Sequence, residues 1–146
     1  MPYPTQEQIL RGDFKHRPEV IRAAKRWKNL NWKQEIRAGG SRRRAIVDLL
    51  HMISGIYGKP VLVEVFPDAE CSSAYFGERK TIVLNGTPSI ITALHELSHH
   101  LFGASELQAC RWSVILFKKV FPVAFSRLVW EGHMLVTPAQ EGEEDA

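Results

Sequence analysis

Residues 92–110 read TALHELSHHLFGASELQAC. His95 and His99 stand four positions apart with Glu96 next to the first of them, the pattern HExxH. On a helix, residues i and i+4 lie one above the other on one face. Two imidazoles so spaced can hold one metal ion, while Glu96, about 100° further round the axis, reaches its open coordination position. The pattern is that of a zinc hydrolase.

The flanking residues predict the helix that this chemistry needs. Thr87 can cap it, Pro88 suits its first turn, and Gly103 can close its C-terminus in the left-handed conformation. Ile90, Ala93, Leu94, Leu97 and Leu101 repeat as one apolar stripe, which puts His95 and His99 on the opposite side, towards a cleft.

Catalytic zinc sites have three protein ligands and keep a water in the fourth position, so two histidines are one ligand short. A metzincin pattern would place a third histidine six residues after His99, where Ser105 stands. Ser105 reads instead as a helix N-cap, with Gln108 three residues on, so a second helix opens at Glu106. The turn from Gly103 to Ser105 is short enough to fold Glu106 back towards His99, and Glu106 is the candidate third ligand. A glutamate in a first helical turn also complements the helix dipole without binding anything. Cys110, one turn further along the same face, is a free thiol that could approach a metal as thiolate; Cys71 is the only other cysteine. Both are expected to be free and buried.

The runs KTIVLNG, ITALHELSHHLFG and SELQACRWSVILFKKVFP together resemble the ImmA/IrrE-like metallopeptidases, small gluzincin-type proteins. In that family a strand leads into the HExxH helix, and the third ligand opens a following helix of the form ExxAN that ends in proline. The similarity spans about Ala74 to Pro122. It implies one Zn²⁺ per chain on His95, His99 and Glu106, with Glu96 as general base acting on a zinc-bound water. Ala109 fits the pattern, whereas Cys110 stands where the family usually has Asn or Asp, the place of a second-shell partner for a ligand. The resemblance further implies limited cleavage of a protein partner.

The chain has 146 residues, 45% of them apolar, which suffices for one core without disulfides. A single domain over residues 1–136 is expected, followed by a disordered acidic tail, 137–146, that carries Glu141, Glu143, Glu144 and Asp145. Residues 1–10 lack a secretory signal and no apolar run approaches the ~20 residues of a membrane span, so a cytoplasmic protein without membrane attachment is expected. The net charge of +3 conceals an asymmetry, because residues 1–45 hold 12 Lys and Arg against 4 Asp and Glu. The basic part and the catalytic part are different surfaces.

Along the chain, Thr5 and Gln8 form a capping box for a short helix, and Pro18 opens a second in which Val20, Ala23, Trp27 and Leu30 repeat. Residues 29–31 are expected to break it, and Gly39 with Gly40 to end it. Trp27 and Trp32 interleave with Arg26, Lys28 and Lys33, which reads either as core aromatics or as a base-stacking surface. Ser41 caps a third helix whose buried face is Ile46, Leu49, Leu50 and Ile53, and which contains His51 as a structural histidine. Arg42, Arg43 and Arg44 crowd its first turn against the helix dipole, a placement that an anionic partner would favour.

Val61 to Phe66 reads as an interior strand, and Cys71 to Phe76 with Lys80 to Leu84 as a hairpin about Gly77, the first arm at the sheet edge. Such an edge can pair with an extended peptide. A last helix begins at Pro122 and carries Val123, Phe125, Leu128 and Val129. Tyr75, His100, Arg111 and His133 are candidates to stabilise an oxyanion.

The order predicts an α+β fold in which a small three-stranded sheet is packed by the HExxH helix and surrounding helices, a zincin-like arrangement. The expected function is a zinc-dependent peptidase acting on a protein or peptide. The alternatives are a nucleic-acid-binding or RNA-processing metal hydrolase that uses the basic N-terminal helices (1–57), and an inactive zinc-binding interaction module.

Overall fold

Five consecutive residues, Thr81–Asn85, form the strand on which the sheet is built, and the first four of them are buried. In the computed structural model, which describes residues 3–34, 39, 41–86, 88–131 and 134–136, this strand is β3. It lies between β1 (Leu62–Phe66), to which it is parallel, and β2 (Ala74–Phe76), to which it is antiparallel. Leu62 pairs with Thr81 and Tyr75 with Ile82, so Val63, Ile82 and Tyr75 share the sheet face that meets the helices.

β1 corrects the expectation of an interior strand. It is an outer strand, and Leu62 and Phe66 are 65% and 50% exposed. Only Val61 and Val63 turn to the core, and the continuous apolar run does not report burial on both faces. β2 is the other edge, as expected for the first arm of the hairpin, but it begins at Ala74 and not at Cys71, and the hairpin turns at Gly77–Lys80.

Among the described residues six α-helices accompany the sheet. They are α1 (Gln6–Leu10), α2 (Pro18–Trp27), α3 (Arg42–Ile56), α4 (Ile90–Phe102), α5 (Glu106–Val120) and α6 (Pro122–Ser126). Thr5 and Gln8 make the full reciprocal capping box on α1, and Ser41 caps α3 through the N–H of Arg44 at 3.2 Å. The asparagines after α2 do not break it. The helix widens into a π-helical turn, Lys28–Trp32, that swings Trp32 inward beside Trp27, with ring centroids 5.5 Å apart. Both tryptophans are buried, and the Trp27 indole N–H donates to the Ala45 carbonyl at 2.8 Å, so they belong to the core and not to a stacking surface. Arg42 lies over the Trp32 ring at 5.1 Å, which accounts for one of the three crowded arginines. His51 is exposed, which corrects its reading as a structural residue.

One continuous buried cluster joins α2, α3, β3, α4 and α5, with Trp112, Leu97 and Ile82 fully enclosed. The fold is therefore mixed α+β around one main core. A smaller cluster of Ile9, Cys110 and Val114 is covered by a second hairpin, β4 (Val129–Glu131) with β5 (Met134–Val136). This hairpin corrects the long terminal helix: α6 stops at Ser126, and the run LVWEGHMLV has the β-branched and aromatic character of paired strands. Gly40, Thr87, His133 and the acidic tail 137–146 lie outside the described residues. Among the described residues no helix is long and apolar enough to cross a membrane.

Two polar side chains of α5 and α1's linker fasten the N-terminus. The Arg111 guanidinium donates to the carbonyls of Gln8, Ile9, Arg11 and Asp13 at 2.7–3.1 Å. His16 is buried, with its Nε2–H donating to the Trp112 carbonyl at 2.9 Å, so its Nδ1 is left to accept from the Lys119 ammonium at 3.1 Å. Burial, reinforced by the Lys119 charge and opposed by Asp13, holds the His16 pKa below its ordinary 6.5. As pH falls below that unfolded value, the unfolded chain takes up the proton first, so folded stability is lost as pH drops through 6.5 towards the lower folded pKa. In metal-free protein the urea midpoint should therefore fall between pH 7 and pH 5. His16→Gln, which keeps a donor for Trp112 but cannot be charged, should flatten that dependence; an unchanged slope would mean that other groups set it.

Candidate metal centre

α4 begins at Ile90 because Ser89 caps it, accepting from the Thr92 N–H at 3.0 Å; the cap is thus two residues later than Thr87, and Pro88 precedes the helix. Its buried residues are Ile90, Ala93, Leu94, Leu97, Ser98 and Leu101, while His95, Glu96, His99 and His100 are half-buried on the other side. Gly103 ends it at φ 110° and ψ −160°, a positive-φ conformation open to glycine but outside the left-handed helical well. Ser105 then caps α5, accepting from the Gln108 N–H at 3.1 Å. The reversal brings Glu106 back against the histidines.

The three side chains converge. Glu106 Oε1 is 2.8 Å from His99 Nε2, and Glu106 Oε2 is 3.2 Å from His95 Nε2. One donor atom from each residue lies within 4.8 Å of the others. The two imidazoles stand nearly perpendicular, 78° between planes, with centroids 4.9 Å apart.

Hydrogen bonding fixes what lies between these atoms. His99 Nδ1 is 2.9 Å from the Gly103 carbonyl, which can only accept, so Nδ1 carries the hydrogen. In the neutral ring Nε2 then presents a lone pair to a carboxylate oxygen 2.8 Å away. Two lone pairs at that distance repel unless a cation stands between them, either a second proton on the imidazole or a metal ion. Bonds of about 2.0–2.2 Å to one tetrahedral ion would separate its ligand atoms by roughly 3.3 Å; the 3.2 Å contact of His95 is near that spacing, and the 2.8 Å contact of His99 is shorter, at hydrogen-bond length. Two imidazoles and a carboxylate, with the Gly103 carbonyl orienting one ring, are a set that could hold a metal ion.

No protein-family model, curated protein or solved structure matches this chain. What the site can do must come from its own atoms.

Glu96 is the group beside the three candidate ligands. Burial pushes its carboxyl up to about 7; the Glu106 charge adds to that, while His99 and the main-chain N–H of Tyr75 favour the ionised form. A carboxyl poised near neutrality suits proton transfer in either direction. Cys110 is not a fourth ligand. Its sulfur lies 3.8 Å from His95 Nδ1, on the far side of the ring from Nε2, and burial with the Glu106 charge pushes the thiol up to about 11. It is a weak neutral partner where metal-bound histidines generally have a carboxylate, carbonyl or water. Cys71, expected to be buried, is exposed.

The oxyanion candidates resolve unequally. Arg111 spends its donors on the carbonyls around α1 and is removed from the site. The Tyr75 hydroxyl and His100 Nδ1 bond each other at 2.9 Å, and His133 lies outside the described residues. Sequence reading missed the Gly103 carbonyl as the partner of His99 and the Tyr75 main chain as an influence on Glu96. Both are backbone groups, and only the turn and the strand placement reveal them.

Proposed function

We propose that the chain is a zinc-dependent peptidase of zincin-like construction, related in design to the ImmA/IrrE-like metallopeptidases. The observation that carries this is the close approach of His99 Nε2, His95 Nε2 and the Glu106 carboxylate in an arrangement that calls for a cation, with Glu96 at its side. His95, His99 and Glu106 would hold the metal; Zn²⁺ bound there supplies Lewis acidity, which polarises a carbonyl and lowers the pKa of water to about 7. Glu96 takes a proton at its carboxylate from the attacking water and returns it to the departing amine nitrogen. Burial of Glu96 makes both halves of that exchange accessible near neutral pH.

Peptide is favoured over other acyl substrates because β2 is an edge strand of the sheet and packs against the helix that carries Glu96. An extended chain pairing with that edge would be held alongside the base by main-chain hydrogen bonds. A protein partner cut at an exposed extended segment is the substrate class that this implies. The test is a random-sequence peptide library incubated with zinc-loaded protein and read by mass spectrometry. Cleavage that stops on chelation and returns with zinc is expected; intact peptides at every zinc concentration would overturn the assignment.

A further inference from the structure

Glu96 and His100 are one helical turn apart on α4 and so share a face, and Tyr75 of β2 bonds the second of them. The Tyr75 hydroxyl reaches His100 Nδ1 at 2.9 Å, and the residue's main-chain N–H is placed to favour the ionised form of Glu96. His100 Nε2 is 2.7 Å from the Lys59 carbonyl, which can only accept; Nε2 therefore carries the hydrogen, and Nδ1 must accept from the tyrosine. The bonds run in one direction, from Tyr75 through His100 to Lys59. Lys59 is itself tied to the helix, because its ammonium donates to the Leu101 carbonyl at 3.0 Å. The two rings meet edge to face, 5.3 Å between centroids.

We propose that His100 and Tyr75 are positioning residues that clamp strand β2 across the Glu96 side of α4, holding its outer edge as a rail for an extended peptide. The clamp matters because β2 has only three residues and is bonded to a neighbouring strand on one side alone. So short an edge has few ladder bonds of its own and opens easily. Both ring nitrogens of His100 are engaged, so it acts through the strand and not on substrate. What the rail binds rests on the peptidase assignment; the clamp itself does not.

Amide hydrogen exchange on the full zinc-loaded chain tests it. Tyr75→Phe and His100→Ala should each speed exchange at residues 74–76 about five- to tenfold, the scale of one net hydrogen bond, and leave β3 and α4 unchanged. The double variant should be no faster than either single one, because both break the same chain of bonds. His100→Gln, whose amide can donate to Lys59 and accept from Tyr75, should restore slow exchange. On peptides that the native chain cleaves, the clamp variants should raise KM by a similar factor with kcat less affected and zinc content unchanged. Unaltered exchange at 74–76, acceleration spread through the sheet, or Gln behaving as Ala would overturn the clamp. A native chain that cleaves nothing would sink the peptidase assignment instead, and exchange alone would then decide the clamp.

Discussion

Glu106→Ala should lose zinc on dialysis against a weak chelator, while the native chain, His100→Ala and Cys110→Ala should keep close to one ion. Two imidazoles on one helix supply only neutral nitrogen donors, and the Glu106 carboxylate is the anion that closes the site from α5, 2.8 and 3.2 Å from their Nε2 atoms. Removing a partner that merely orients a ligand generally weakens metal binding 10- to 100-fold, so losing a ligand should exceed about 100-fold. His100 faces β2 and Cys110 lies behind His95, so neither contributes a donor atom to the cluster. Glu106→Gln separates charge from shape: it can still bond the histidines, yet it should bind zinc far more weakly than the native carboxylate. Retention of zinc by Glu106→Ala together with its loss from Cys110→Ala would mean a different ligand set.

Glu96→Gln, by contrast, should keep zinc and lose hydrolytic activity. The amide oxygen can still accept from the Tyr75 N–H, and the half-buried side chain keeps its volume, so the fold and the three ligands are undisturbed. What disappears is the capacity to take a proton and give it back, a contribution of about 10²–10⁴ in rate. Hydrolysis should fall by at least 10² with zinc stoichiometry and thermal midpoint close to those of the native chain. A variant that sheds zinc, or one that cuts at the native rate, would remove Glu96 from the role of base.

Much of this centre could be seen in the residues alone, because it is built from local geometry. The spacing of His95 and His99, the opposed apolar stripe, and the Ser105 cap that folds Glu106 back are properties of two helices and a three-residue turn, and each is found in the structure. The helix start shifted by two residues, since Ser89 and Thr87 both offer a capping oxygen and only the backbone decides between them. The errors fall where a side chain's fate depends on distant partners. An apolar run such as Leu62–Phe66 looks interior until sheet order places it outermost. Arg111 looks like a catalytic cation until α1 and the residues just after it, about a hundred residues away in the chain, present four carbonyls to it. The β4–β5 hairpin was missed because Leu128 and Val129 extend the apolar pattern of the preceding helix, and strand identity came from pairing.

The central claim is that His95, His99 and Glu106 are joined by one zinc ion. Anomalous scattering from a zinc-loaded crystal, recorded on both sides of the zinc absorption edge, measures this directly. One peak per chain is expected, about 2.0–2.2 Å from Nε2 of His95, Nε2 of His99 and a carboxylate oxygen of Glu106, with Cys110 outside bonding distance. A peak ligated without Glu106, or no peak between α4 and α5, would contradict the account.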